Sequence, residues 1–314
     1  MEKVSVIMPV YKETKEQIEA SVKSILNQTY KKIQFIIIVD NPDENWRIDY
    51  LKSFNDERIQ IIVNEKNLGI TDSLNRGLEI ATGKYIARMD SDDIAIETRL
   101  EKQLKYLKEN KLDIIGSDVI FFINNKDIKY VRYPHKNRTI KKLIYYQNCI
   151  AHPTYFFKKD ILEKNKKYND IYASEDYDFL LRAIKNGYRA GNVPEPLLRY
   201  RINFEGISRK NPGKQICTAN FIKKYYKRKK NQYTLGEALK KYVESSKYNK
   251  DVEQYNKYMN LKNARLEMKK SNANMYIIDS FKMIFYFKQF SKDIYEIAKR
   301  KIYYFLEDNV YRNK

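Results

Sequence analysis

Ala81-Thr82-Gly83-Lys84-Tyr85-Ile86-Ala87-Arg88-Met89-Asp90-Ser91-Asp92-Asp93 carries an apolar strand pattern directly into three carboxylates within four residues. A helix pattern precedes it, opening at Asn67-Leu68-Gly69, running through Ala81 and ending at Gly83. Another follows over residues 97–108. Helix, strand, acidic turn and helix in that order make one unit of an α/β fold. The same grammar repeats upstream. Val4-Ser5-Val6-Ile7-Met8-Pro9 predicts a strand, and residues 16–28 place Ile18, Val22, Ile25 and Leu26 at helical spacing. Residues 33–39 form a near-continuous apolar run, as expected of a strand buried on both faces, and stop at Asp40-Asn41-Pro42-Asp43. Further strands are predicted over 59–63 and 113–122.

Alternating strands and helices predict a mainly parallel central sheet. Right-handed crossovers then put the carboxyl ends of the strands on one edge, where ligands of open α/β sheets bind. The polar segments at Tyr11–Glu13, 40–43 and 90–93 each follow a strand, so they are expected to meet in one crevice. Beyond them, 128–133 reads as an edge strand. Asn148-Cys149-Ile150-Ala151-His152-Pro153 is a turn-bounded segment. Residues 175–185 read as a helix capped at Gly187. The expected organisation is an α/β domain over 1–212 and a basic, Tyr-rich helical region over 213–314.

The chemistry lies in the acidic segments. Carboxylates packed as in 90–93 repel unless a cation offsets them, and hard oxygen ligands of this kind suit Mg²⁺ or Mn²⁺. A solvated acidic turn or a helix N-cap would use the same residues. Asp40 can accept the imide N–H of a uracil, although Asp-Asn-Pro is also an ordinary turn former. Tyr11 can pack on a base or merely cover the core. Ser174-Glu175-Asp176-Tyr177-Asp178 opens a helix, where acids suit the dipole. The same carboxylates can act as a general base toward a sugar hydroxyl. His152 can contact phosphate, metal or acceptor, or serve as a satisfied structural histidine.

The formal charge is +21. Residues 214–314 hold 24 Lys/Arg against 10 Asp/Glu, so the basic excess is concentrated there. That suits anionic lipid headgroups or acidic glycans, and equally a solvated helical surface. Cys149 and Cys217 match no metal or redox spacing. The start of the chain has no secretory signal shape, and no stretch reaches the ~18–20 apolar residues of a membrane span. A cytoplasmic protein is expected, or one peripheral to the inner membrane face.

Taken in order, these segments resemble family 2 glycosyltransferases, the large inverting group with the GT-A fold. The resemblance runs through 4–11, Ser24-Ile25-Leu26-Asn27-Gln28-Thr29-Tyr30, 36–40, Asn67-Leu68-Gly69, Leu74-Asn75-Arg76-Gly77 and 81–93. It continues through Ala151-His152-Pro153-Thr154, 174–178 and Leu198-Arg199-Tyr200-Arg201, covering about residues 1–208. It implies that Pro9, Tyr11 and Glu13 frame the nucleoside and that Asp40 holds the base. Asn67, Arg76, Arg88, Asp90, Ser91 and Arg201 would complete the nucleotide-sugar site. Asp92, with Asp90, would hold Mn²⁺ or Mg²⁺. Asp176 would be the catalytic base, paired with Glu175, with Asp93, His152 and Asp178 supporting it or the acceptor. The implied partners are a UDP-linked sugar and a glycan or polyprenyl-linked saccharide. Two positions depart from the family pattern. Asn41-Pro42-Asp43 replaces the usual acidic and small polar run. Asn203 stands where many relatives carry a His that approaches the metal, and His152 is the candidate to compensate.

The sequence opposes two other classes. A sugar-phosphate nucleotidyltransferase would favour a Gly-rich phosphate loop after the first strand, and Val10-Tyr11-Lys12-Glu13 has no glycine. A nucleic-acid-binding protein would suit the charge, but no named motif is present, and acidic loops at the crevice oppose a polyanion. For 213–314, amphipathic helices over 277–290 and 294–306 lying on an anionic membrane, and a helical subdomain that packs on the core or dimerises, are both open.

Overall fold

The computed structural model describes residues 2–203, 211–228 and 231–268, with three isolated positions beyond. The segments 277–290 and 294–306, Lys229-Lys230 and the end of the resemblance at 204–208 lie outside the described residues, apart from those isolated positions. The chain divides into two compact units: residues 1–171 with 175–203, and residues 172–174 with 204–314.

The first unit is built on one nine-stranded sheet. Its strands are β1 (Val4–Val10), β2 (Ile33–Val39), β3 (Ile59–Val63), β4 (Tyr85–Arg88), β5 (Ile94–Ala95), β6 (Ile114–Ile123), β7 (Lys126–Val131), β8 (Phe156–Lys158) and β9 (Ala190–Arg201). The order is β3-β2-β1-β4-β8-β6-β9-β5, with β7 beside β6. β3, β2, β1 and β4 are parallel, as are β6 and β9. β8, β5 and β7 enter antiparallel. The expected parallel pattern thus holds for the half that forms the crevice, and the sheet is mixed beyond β4.

All seven residues of β1 are buried, as are six of the seven in β2. Each apolar side chain of this size contributes about 1.5–3 kcal/mol on full burial, so these two strands anchor the core. The connecting helices are α1 (Lys15–Leu26), α2 (Asn45–Lys52), α3 (Ile70–Ile80), α4 (Arg99–Glu109), α5 (Asn137–Leu143), α6 (Leu162–Asn165) and α7 (Glu175–Lys185). Thr14 and Gln17 form a reciprocal capping box that starts α1. The sequence predicts that Gly83 caps α3, and it does not. That helix ends on extended Ala81, and a Cβ at Gly83 would sit 2.5 Å from the Ser5 backbone nitrogen. Gly83 is therefore a close-approach position where the chain enters β4. Gly187 does close α7: its N–H reaches the Ile184 carbonyl and that of Tyr188 reaches Ala183.

The second unit is helical where described, with α8 (Pro212–Lys227), α9 (Leu235–Val243) and α10 (Ser246–Met268). Among the described residues no helix is long and apolar enough to cross a membrane.

Candidate active site

The register of β1 pairs Val10 with Val39 and Ile7 with Arg88. The segments after β1, β2 and β4 therefore leave the sheet on the same edge. Pro9 is buried within β1. Past its end, the Tyr11 N–H donates to Glu13 Oε2 at 2.7 Å, and Arg47 Nη2 holds the Glu13 carbonyl at 3.2 Å. Tyr11 stays half-exposed, with the Lys12 ammonium 4.9 Å from its ring centre.

Asp40 is buried at the end of β2. Its Oδ1 accepts from Asn64 Nδ2 at 2.7 Å and from the Leu68 N–H at 2.8 Å, while Oδ2 accepts the Gly69 N–H at 2.8 Å. Gly69 holds φ at +83°, a conformation that side chains with a Cβ avoid. Arg76 Nη1 completes the arrangement by donating to Asn64 Oδ1 at 2.6 Å and to the Val63 carbonyl at 3.0 Å. Asp40 thus staples the 64–69 loop and keeps one lone-pair direction, on Oδ2, for a further donor. Arg76 acts on that loop through Asn64. Asn67 is exposed and also accepts the Gly69 N–H, at 3.1 Å.

Arg88 ends β4 in a buried position, and its Nη1 donates to Asp90 Oδ2 at 2.7 Å. Burial opposes its charge, but Asp90, Tyr200, Tyr168 and Asp93 together outweigh this and hold the guanidinium above its usual pKa. Arg99, wholly buried, donates from Nη2 to the Arg88 carbonyl at 2.7 Å. Burial lowers Arg99 to about 9. Ser21 Oγ donates to the Asp90 carbonyl at 2.8 Å, and Ser91 is buried. Arg201, at the end of β9, clamps the acidic turn from the other side. Its N–H reaches Asp93 Oδ1 and its Nε the Asp92 carbonyl, both at 2.7 Å. The guanidinium carbon sits 4.5 Å from the Phe122 ring centre.

Asp90, Asp92 and Asp93 each bring a carboxylate oxygen within 4.8 Å of the others. Burial, then the charges of Asp90 and Glu13, push Asp92 up to about 7. Burial also raises Asp93 well above the ordinary carboxylate range, and its shielded Oδ2 has no hydrogen-bond partner among the described residues. A donor set of clustered carboxylates with an unpaired oxygen fits a hard divalent cation. His152 is not part of that set.

Asp176 and Glu175 open α7. Asp176 accepts from Asn148 Nδ2 on Oδ2 and from the Tyr177 N–H on Oδ1, both at 2.7 Å. Burial raises it to about 6, against the pull of these donors and of Arg88. Glu175 is raised to about 8 by burial and by the charge of Asp176, and its shielded Oε2 has no partner among the described residues. Of the two, Glu175 is raised the more, so it is the member of the pair that more readily keeps a proton, and Asp176 the one that more readily ionises.

The two acidic segments meet around Arg88. Its charge lowers both Glu175 and Asp176, and that of Asp90 raises Glu175. A continuous chain joins them: the Arg88 N–H donates to the Tyr155 carbonyl at 2.9 Å, and the Tyr155 hydroxyl donates to the Asp176 carbonyl at 3.0 Å. His152 lies in the same cluster, 3.2 Å from the Tyr168 hydroxyl through Nε2 and 3.8 Å from Glu175 Oε1 through Nδ1. Burial, then Arg88, pushes its pKa well down, so it is neutral. Asp178 is fully buried and taken by Arg182 Nε at 2.8 Å and Asn169 Nδ2 at 2.9 Å, which gives it a supporting place in α7. Sequence reasoning missed Asn64, Asn148, Tyr155 and Arg99. For Asn64 a signal existed, since it follows β3 just as Asp40 follows β2.

The model of the glycosyl transferase family 2 domain matches residues 5–165. An uncharacterized glycosyltransferase, MJ1057 of Methanocaldococcus jannaschii, is 38% identical over 72% of this chain and 80% of its own length. The O-antigen biosynthesis glycosyltransferase WbnJ of Escherichia coli is 34% identical over 73% of this chain and 91% of its own. A UDP-Glc:α-D-GlcNAc-diphosphoundecaprenol β-1,3-glucosyltransferase, WfgD of the same organism, is 32% identical over 65% and 79%. Among solved structures, Staphylococcus aureus TarS 1–349 in complex with UDP-GlcNAc superposes with a TM-score of 0.59 at 18% identity, over 75% of this chain and 69% of that one. The chain spans 44% of a longer TarS chain. The mannosyltransferase PcManGT of Pyrobaculum calidifontis, in complex with GDP-Man and Mn²⁺, gives 0.57 at 14% identity, over 94% and 85%. These likenesses establish the GT-A fold. With the strand-end carboxylates and the matched domain in agreement, the chain is a glycosyltransferase that belongs to glycosyl transferase family 2.

Proposed function

We propose that the protein moves a hexose or N-acetylhexosamine from a UDP-linked donor to a glycan or polyprenyl-linked saccharide, with inversion, in the synthesis of a cell-surface polysaccharide such as capsule, O-antigen or exopolysaccharide. The observation that carries this reading is that Arg88 pairs with Asp90 and is joined through Tyr155 to Asp176, which links the acidic turn to the Glu175–Asp176 pair. The UDP-GlcNAc complex of TarS supports the donor class, and the names of WbnJ and WfgD support a polysaccharide or lipid-linked acceptor. A peripheral place at the cytoplasmic face of the membrane follows from such an acceptor.

In this reading Asp92, with Asp90, holds Mn²⁺ or Mg²⁺, and the bound cation supplies charge neutralisation for the departing diphosphate. Tyr11 and Glu13 frame the nucleoside, and the free lone pair of Asp40 Oδ2 takes the base N–H. Arg88 pairs with the Asp90 carboxylate and orients it. Asp176 removes the proton of the acceptor hydroxyl as its oxygen bonds to the anomeric carbon. The bond to the nucleoside diphosphate oxygen breaks in the same displacement. Glu175, protonated, keeps a second negative charge away from the incoming alcohol.

The test is mass-spectrometric detection of donor hydrolysis over a panel of UDP-, GDP- and dTDP-sugars, with and without Mn²⁺. Metal-dependent turnover of UDP-hexoses is expected. Turnover confined to GDP- or dTDP-sugars would overturn the donor assignment.

A further inference from the structure

The second unit contains a cleft of about 680 Å³ among α8, α9, α10, Arg228 and Asn231-Gln232-Tyr233. That volume lies in the ~300–1,000 Å³ range of small-molecule sites. Its walls combine three kinds of side chain. Aromatic rings come first: Phe221 stacks on Tyr242 at 4.8 Å and 11°, and Tyr225 and Tyr255 line the same space. Cations come second. Lys224, Arg228 and Lys247 line the cleft, and none pairs with an acid among the described residues. The acid in the wall, Asp251, already accepts the Tyr242 hydroxyl at 3.0 Å. Third is an amide with spare capacity. Asn231 donates to the Tyr225 carbonyl at 3.2 Å, while its shielded Oδ1 has no partner among the described residues.

Each kind selects part of a ligand. Rings on the walls offer flat apolar surface for the faces of sugar rings, and an unpaired amide oxygen asks for a hydroxyl. Three cations against one carboxylate, Asp251, leave the wall with a net positive charge that asks for anionic oxygen. A lipid bilayer presents a plane, which a concavity of this size does not match. A nucleic acid strand needs a groove that tracks its backbone past successive stacking platforms.

We propose that this cleft is a second carbohydrate site, which takes an acidic oligosaccharide of a few rings through carboxylate or phosphate oxygens. The proposal rests on the reading above that the enzyme builds a polysaccharide, and it makes that polysaccharide or its precursor anionic.

The experiment uses the full chain and fluorescence-labelled probes: tetragalacturonate, a phosphorylated maltotetraose, neutral maltotetraose, octathymidylate and phosphatidylglycerol vesicles. At least one acidic saccharide is expected to bind tenfold or more tighter than maltotetraose, and the preferred one identifies the anion. The triple substitution Lys224→Gln, Arg228→Gln, Lys247→Gln should erase that difference, with melting behaviour and donor hydrolysis unchanged. Should the triple variant lose its fold, Asn231→Asp, which places a negative charge in the cleft, should by itself weaken acidic-saccharide binding at least fivefold. Equal affinity for neutral and acidic tetrasaccharides, binding unaltered by these changes, or tighter binding of octathymidylate or vesicles would overturn the proposal. Donor hydrolysis, read separately, reports on the transferase site alone, so either reading can fail without the other.

Discussion

The side-chain amide of Asn148 donates to Oδ2 of Asp176 at 2.7 Å, across 28 residues of sequence. Oδ1 is already held by the Tyr177 N–H. The proposed base is therefore fixed at both oxygens, and both bonds favour its charged form. Asn148→Ala removes one of them. A hydrogen bond to a charged group is worth about 1.5–3 kcal/mol, less where water can enter, so kcat should fall roughly tenfold or more. The acidic limb of the pH profile should move up by about one pH unit. Donor KM should stay near its original value. A fall in kcat with an unmoved pH profile would mean that Asn148 acts only on packing.

Asp176 must be ionised to accept a proton, and burial raises it to about 6. Transfer should therefore be lost as pH falls through about 6 and reach its plateau above. Asp176→Asn should cost about 10²–10⁴-fold in kcat and leave UDP binding intact by calorimetry. Near-normal turnover by Asp176→Asn would move the base assignment elsewhere.

The carboxylates of Asp90, Asp92 and Asp93 crowd one another, and burial has raised two of them. A bound cation removes that repulsion, so Mn²⁺ should raise the melting temperature even without nucleotide, and UDP should add to the rise. Asp92→Ala should abolish the Mn²⁺-dependent part in a thermal-shift titration. A tenfold excess of metal over its dissociation constant corresponds to about 1.4 kcal/mol of stabilisation, which is readily measured.

The sheet edge was legible because β1 and β2 are buried on both faces and read as near-continuous apolar runs, each with one polar residue, Ser5 and Gln34. β9 was not. Its sequence Ala190-Gly191-Asn192-Val193-Pro194-Glu195-Pro196 carries two prolines, which argue against a strand flanked on both sides. The structure accommodates them with a register shift: Ser117 faces Val193, and Asp118 faces Pro196. β5 and β8, at two and three residues, are too short to show a period. In the candidate site, spacing identified the acidic residues but not their partners. Asn64 meets Asp40 and Asn148 meets Asp176 only because the chain crosses over between them, and no local pattern encodes such a pair.

Asp40 allows the sharpest separation of a structural role from a binding one. Its carboxylate satisfies the amide of Asn64 and the backbone N–H groups of Leu68 and Gly69. Truncation to Ala takes the acceptor from the Leu68 N–H, while the Gly69 N–H keeps Asn67 Oδ1 and the Asn64 amide keeps Ser73 Oγ, a loss of about 1–3 kcal/mol. Asp40→Ala should therefore destabilise the fold by roughly 1–3 kcal/mol, read as a fall in the urea midpoint, as well as weaken UDP. Asp40→Asn keeps Oδ1 as an acceptor, with its amide NH₂ replacing Oδ2, so it should lose the Gly69 bond and the lone pair proposed for the base. Its stability loss should be smaller than that of Asp40→Ala, while its UDP affinity should fall by a similar factor. An Asp40→Ala variant as stable as the parent would show that the 64–69 loop does not depend on this carboxylate.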